Sequence, residues 1–195
     1  MKTNFISAAA LIFIGAMAAC SSSTDSEDNT KDQNSDRIEA TAASDSAEDS
    51  QKKDAEFVAE AASGGMMEVE MGKLAASKAV SPQVKAFAEM MVKDHTTANN
   101  ELMSLAAQKS IILPSTLMEK HQEMVDEVSK KSGRDFDKQY MEHMVSDHKK
   151  DIDDFENAAE ECEDADVKAF ATKTIPTLKA HLAKAESVEK MVNKN

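Results

Sequence analysis

Apolar residues recur at alternating steps of three and four in four separate runs across residues 55–192, and this period limits what the chain can build more than any other feature. Such spacing lines side chains along one stripe of an α-helix, whereas a half-buried strand alternates at every second residue. The first run, about Ala55 to Ala79, carries Phe57, Ala61, Gly64, Glu68, Met71 and Ala75 on its stripe. The second, Pro82 to about Lys109, carries Val84, Phe87, Met91, His95, Ala98, Leu102 and Leu105. The third, about Arg134 to Glu161, carries Phe136, Tyr140, Met144, His148, Ile152, Phe155 and Ala159. The fourth, about Asp164 to Val192, carries Val167, Phe170, Thr174, Leu178, His181, Ala185, Val188 and Val192. Trp is absent and Gly and Pro are scarce, which also favours helix over strand. The expected fold class is all-α.

Two echoes relate the runs. Val84-Lys85-Ala86-Phe87-Ala88 returns as Val167-Lys168-Ala169-Phe170-Ala171, and Met91-Val92-Lys93-Asp94-His95 returns as Met144-Val145-Ser146-Asp147-His148. The chain therefore reads as two related helical hairpins. Ser81-Pro82 supplies an N-cap and a first-turn proline between the first two runs. Gly64-Gly65 weakens its helix by about 1 kcal/mol per glycine and marks a close helix contact or a local irregularity. Pro176 removes a backbone donor and predicts a kink in the fourth helix. The stretch from about Ser110 to Gly133, with Leu113-Pro114-Ser115 and a shorter helix near Thr116 to Lys130, is too long for a hairpin loop. It suits a crossover running the length of an up-down four-helix bundle.

The ends of the chain have other compositions. Residues 1–19 combine an early Lys2, an apolar run from Ala8 to Ala18 and small residues before Cys20, the pattern of a secretory signal too short to span a membrane. Met17-Ala18-Ala19-Cys20 resembles a bacterial lipobox, which implies cleavage before Cys20 and lipidation of its thiol. Lipid chains contribute about 0.8 kcal/mol per buried methylene, so more than one makes a stable membrane anchor. Ser21 in place of Asp after that cysteine resembles lipoproteins sorted onward to an outer membrane. Residues 20–53 are Ser, Thr, Asp, Glu, Asn and Gln with hardly an apolar side chain, and are expected to be a flexible tether. Residues 54–195, roughly 140 in number, suffice to bury one core. The net charge of -13 argues against nucleic acid as a partner, because a phosphate backbone must be met by clustered Lys or Arg. Cys20 and Cys162 define no disulfide framework, and Cys162 follows an acidic run that discourages its thiolate, so it reads as structural.

Glu68, His95, His148 and His181 interrupt apolar stripes near mid-helix. Counting about 1.5 Å per residue from each hairpin turn, Glu68 and His95 fall at similar depths, as do His148 and His181. If the hairpins stack end over end, a carboxylate and three imidazoles meet in one interior, with Asp94 and Asp147 alongside. Imidazole and carboxylate are the usual ligands of iron, zinc and copper, and bundle interiors commonly hold such ions. The alternative is a metal-free polar layer in which each histidine pairs with a carboxylate. Met66, Met67, Met71, Met90, Met91, Met141 and Met144 lie at neighbouring heights; thioethers suit monovalent copper, and they also fill irregular cores. His121 belongs to the crossover and His143 to a stripe edge. No nucleophile elbow, phosphate loop, Cys-x-x-Cys or His-Glu-x-x-His occurs.

Phe57 through Glu68-Val69-Glu70, then Ser81 to Ala88, Met91 to His95, Phe136-Asp137 with Tyr140, His148, and Pro176 with His181, resemble domain-of-unknown-function family 4142 over nearly all of residues 55–192. The resemblance implies a ferritin-like bundle in an exported bacterial protein, often a lipoprotein or outer-membrane protein. It implies little about activity. A ferritin-like di-iron site places Glu-x-x-His on two of its helices, but here Val92 and Leu178 stand three residues before His95 and His181. That departure disfavours a di-iron oxidase. The leading expectation is a lipid-anchored envelope protein binding copper, iron or zinc through Glu68, His95, His148 and His181, with Asp94 and Asp147 as ligands or as partners orienting imidazoles. Its rival is a metal-free envelope or stress-response module acting through its surface. An enzyme using an open metal position near Tyr140 is a third reading.

Overall fold

A computed structural model of the chain describes residues 23–194, so the signal segment and Cys20 lie outside the described residues. Those described form six helices and no strand: α1 (Ser23–Thr41), α2 (Asp45–Lys78), α3 (Pro82–Lys109), α4 (Glu119–Ser129), α5 (Gly133–Glu161) and α6 (Ala165–Lys194). The four long runs of the sequence are α2, α3, α5 and α6, and α6 continues through Pro176.

Paired contacts give the direction of every neighbour. Glu68 meets His95, while Gly72 meets Val92 and Ala88, so α2 and α3 are antiparallel. Phe155 with Phe170, and Lys149 with Glu186, set α5 antiparallel to α6. The hairpins join along α3 and α6, where Glu101 pairs with Lys173, and along α2 and α5, where Phe57 packs edge-on against Phe155. Hence α3 and α5 point the same way. Residues 110–132 carry the chain back along the molecule, with Met118 beside Ser63 at one end of α4 and Ser129 beside Lys78 at the other.

The glycines permit the close approach of α2 and α3. A Cβ on Gly65 would overlap the Asn99 amide, and one on Gly72 would lie 2.8 Å from Val92 Cγ2 and 3.2 Å from the Ala88 carbonyl. Two carboxylates then close the hairpins reciprocally. Asp137 of α5 accepts from the Val80 and Ser81 amides in the α2–α3 turn, at 3.1 and 2.7 Å. Asp54 of α2 accepts from the Glu163 and Asp164 amides in the α5–α6 turn, at 3.2 and 2.7 Å. Asp54 and Asp137 are separated by 83 residues, as are Val84 and Val167, so one internal relation links both hairpins.

The expected tether over residues 20–53 has a different form in the described part: α1 occupies 23–41 and α2 begins at Asp45. Composition alone misses why. Asn34 donates to the Ile112 carbonyl at 2.9 Å and accepts from its amide at 2.8 Å, and Ile38 is buried beside it on the bundle. Lys31–Glu56 and Lys52–Glu39 pairs tie α1 to α2, and Ser44 caps α2 through the Ala47 amide. A polar segment is ordered by specific pairing with a preformed surface rather than by a core of its own.

Two apolar cores fill the molecule. One gathers Met71, Phe87, Met91, Phe136, Tyr140 and Met144; the other gathers Val58, Leu102, Ile152, Phe155, Phe170 and Leu178. On α3, α5 and α6 the boundary between them falls at His95, His148 and His181, and on α2 close to Glu68.

Each reciprocal carboxylate holds two backbone donors, and a hydrogen bond to a charged group contributes about 1.5–3 kcal/mol. Asp54→Ala and Asp137→Ala are each expected to lower unfolding stability by about 3 kcal/mol. Urea denaturation followed by circular dichroism measures it; losses under about 0.5 kcal/mol would mean that the turns are held by packing alone.

Candidate metal centre

Each of the four long helices contributes one side chain to the boundary layer. Glu68 comes from α2, His95 from α3, His148 from α5 and His181 from α6, and all four are buried. The three imidazole rings form a nearly equilateral triangle, with centroid separations of 5.8 Å for His95–His148, 5.2 Å for His95–His181 and 5.5 Å for His148–His181. One ring nitrogen from each lies within 4.8 Å of the corresponding atoms of the other two.

The outer nitrogen of every ring is engaged. His148 Nδ1 donates to the Met144 carbonyl at 2.9 Å, and because a carbonyl can only accept, Nε2 of that ring carries a lone pair. His181 Nε2 lies 3.1 Å from Asp94 Oδ2, a carboxylate that remains 34% exposed at the edge of the layer. His95 Nδ1 lies 2.6 Å from Glu68 Oε2. What remains are His95 Nε2, His148 Nε2 and His181 Nδ1, three buried nitrogens without a hydrogen-bond partner.

A carboxylate group adjoins the imidazoles. Glu68, Asp147 and Asp151 each place one oxygen within 4.8 Å of the others. Asp147 and Asp151, one helical turn apart on α5, are partly open to a cavity of about 700 Å³ whose lining also includes Glu68, His95 and His181. Asp151 was absent from the sequence reading. Its signal was the i,i+4 spacing from Asp147, on a helix rich in exposed acids that made the pair inconspicuous.

Burial governs the charges. It pulls His95 down to about 4 and His148 to about 3, so these two rings stay neutral and able to ligate in mildly acidic solution, and it lowers His181 in the same direction. It raises Glu68 well above the usual carboxylate range, with the Asp147 charge adding to the effect. Asp147 is pushed up to about 6 by burial, and Asp151 is raised for the same reason, with Glu68 and Asp147 adding to it.

The expected residues therefore divide. Glu68, His95, His148 and His181 meet in one layer; Asp94 serves His181, and Asp147 joins the carboxylates rather than the imidazoles. His121 hydrogen-bonds Ser63 at 2.7 Å and His143 lies 3.8 Å from Glu127, and neither belongs to the imidazole or the carboxylate group. Met67, Met71, Met91, Met141 and Met144 are buried in the first apolar core with Met66 and Met90 packed on it. Cys162 is buried, and its thiol is pushed up to about 12 by burial and by Asp54.

The family profile described as Domain of unknown function (DUF4142) matches residues 39–188. The chain belongs to this family. Two solved structures share the fold of the DUF4142 chain. The "putative secreted protein DUF305 from Streptomyces coelicolor" is 11% identical with a TM-score of 0.61, the alignment covering 72% of this chain and 93% of that one. CopM in its Cu(II)-bound form is 17% identical with a TM-score of 0.60, covering 70% and 95%. At these identities the likeness is one of fold. No curated protein matches the sequence. Among the described residues, no helix is long and apolar enough to cross a membrane.

The opposed shifts predict an unusual acid profile for the DUF4142 chain. Between about 4 and 6.5 the unfolded chain binds more protons at His95 and His148 than the folded one, so these groups lower stability as pH falls through that window. Asp147 acts oppositely between about 6 and its ordinary value of 3.8, where the folded chain binds more protons and gains stability on acidification. Glu68 and Asp151 share that sign. In metal-free buffer the urea midpoint of the native chain is expected to change little from pH 7 to pH 5, whereas Asp147→Asn/Asp151→Asn declines. Equal declines in the two proteins would show that the carboxylates do not offset the histidines.

Proposed function

We propose that this DUF4142 protein binds one transition-metal ion through His95 Nε2, His148 Nε2 and His181 Nδ1, at the centre of a ferritin-like up-down bundle anchored to the cell envelope, at the outer membrane, by lipid on Cys20. The observation that carries the reading is three unpartnered, buried ring nitrogens on three imidazoles that each bring a ring nitrogen within 4.8 Å of the others. Each bare buried ring nitrogen costs on the order of 1–3 kcal/mol, and one ion engages all three. The engaged nitrogens support the same reading, since metal-binding histidines characteristically give their other N–H to a carboxylate or carbonyl. Here Glu68, Asp94 and the Met144 carbonyl occupy those places.

Three imidazoles without thiolate suit copper, zinc or iron. A Cu(II)-bound structure of the fold neighbour CopM makes Cu2+ the first ion to try. Three protein ligands leave a position for water or a further ligand, on the side where the cavity meets His95 and His181. The second reading is a metal-free polar layer acting as core architecture, which the 2.6 Å contact of Glu68 with His95 suits equally well.

Elemental analysis and Cu2+ titration against a competing chelator separate the two, using the full-length protein in detergent. The native chain is expected to hold one ion. His181→Ala is expected to weaken binding by roughly 100-fold or more with its helical signal intact, and Asp94→Asn by about 10–100-fold through loss of ring orientation. Affinity unchanged in His181→Ala would leave the polar layer as the function of the cluster.

A further inference from the structure

The carboxylates that adjoin the imidazoles have no role in the three-nitrogen site beyond the single contact of Glu68 Oε2 with His95. Glu68 Oε1 is left without a hydrogen-bond partner although the residue is only 1% exposed. His148 Nδ1 lies 3.3 Å away, but its proton is directed to the Met144 carbonyl at 2.9 Å. One oxygen of this buried carboxylate also lies within 4.8 Å of an oxygen from each of two further carboxylates. Among the described residues Asp147 and Asp151 make no hydrogen bond or salt bridge, and the nearby Lys150 ammonium is held by Asp154.

We propose that Glu68, Asp147 and Asp151 form a second site, made wholly of oxygen, for a hard divalent cation of the Mn2+ type. Three carboxylates crowded together repel, and a divalent cation converts that repulsion into attraction inside a low-dielectric layer. Oxygen donors select Mg2+, Ca2+ or Mn2+ over the softer ions that imidazole prefers. The adjoining cavity leaves room for water ligands to complete a six-coordinate shell and offers the route of entry. The internal relation of the two hairpins supports a built arrangement: Asp151 stands 83 residues after Glu68, the separation of Asp54 and Asp137, so equivalent positions of α2 and α5 bring their carboxylates together. Glu68 then joins the two sites, Oε1 to the oxygen-bound cation and Oε2 to His95.

The site is tested on the full-length protein in detergent, first given one equivalent of Cu2+ and then titrated with Mn2+. Loss of the six-line electron paramagnetic resonance signal of aqueous Mn2+ reports binding, and broadening of the Cu2+ signal reports proximity. One Mn2+ per chain is expected, with the Cu2+ signal broadened. Asp147→Asn/Asp151→Asn is expected to weaken this Mn2+ binding at least tenfold while Cu2+ stoichiometry is unchanged, and Asp151→Glu, which keeps the donor type, retains it. Either no Mn2+ uptake by the native chain at millimolar concentration, or uptake undiminished in the double variant, overturns the proposal. The second result would assign Mn2+ to the acidic surface. The histidine reading fails separately: a chain that takes up no Cu2+ but loses Mn2+ in the double variant keeps the oxygen site and loses only the nitrogen one.

Discussion

Everything near the middle of this molecule depends on the contact between Glu68 Oε2 and His95 Nδ1, 2.6 Å long and buried between two apolar cores. A carboxylate and an imidazole removed from water lose several kcal/mol of hydration each, and the loss is tolerable only when their polar atoms are matched. This pair matches one atom on each side. It also joins α2 to α3 at the level where α5 and α6 bring their own histidines inward, so the ring triangle is positioned by its least hydrophobic contact.

The surrounding fold makes that layer possible by closing both hairpins at their ends. Asp54 and Asp137 each reach across to the turn of the opposite hairpin, which fixes the height of α2 against α5. Gly65 and Gly72 let α3 approach α2 closely. An error of one residue in register would turn each inward side chain by about 100° around its helix and scatter the layer. Reciprocal turn closure and the polar layer therefore reinforce one another, since each requires the same register.

Much of this was legible in sequence because α-helices convert spacing into position. Four stripes located α2, α3, α5 and α6, and the interruptions at Glu68, His95, His148 and His181 marked depths that the structure brings together. Periodicity reports only what faces inward. It was silent on Asp151, although its neighbour Asp147 was already a candidate ligand or orienting partner beside His148, and on α1, whose order rests on Asn34 pairing with a backbone far away in sequence. Neither depends on a run of apolar residues. Hydrogen bonds made by isolated polar side chains leave no period to detect.

The two echoes of the sequence mean different things. Val84 to Ala88 and Val167 to Ala171 share the separation of Asp54 and Asp137, and so mark equivalent places in the two hairpins. The Asp-His phrases do not: the same relation carries His95 onto Leu178, His181 onto Ala98, and His148 onto Gly65. Symmetry survives in one pair of carboxylates, where Glu68 corresponds to Asp151, and is lost at Asp147, which falls on Gly64, and in the histidines. A duplicated scaffold with duplicated ligands would offer two like sites, as in the paired Glu-x-x-His arrangement of di-iron bundles. Here the only symmetric donors are the oxygens of Glu68 and Asp151, and every nitrogen is asymmetric, so the interior presents two chemically unlike faces to whatever it binds, and Glu68 belongs to both.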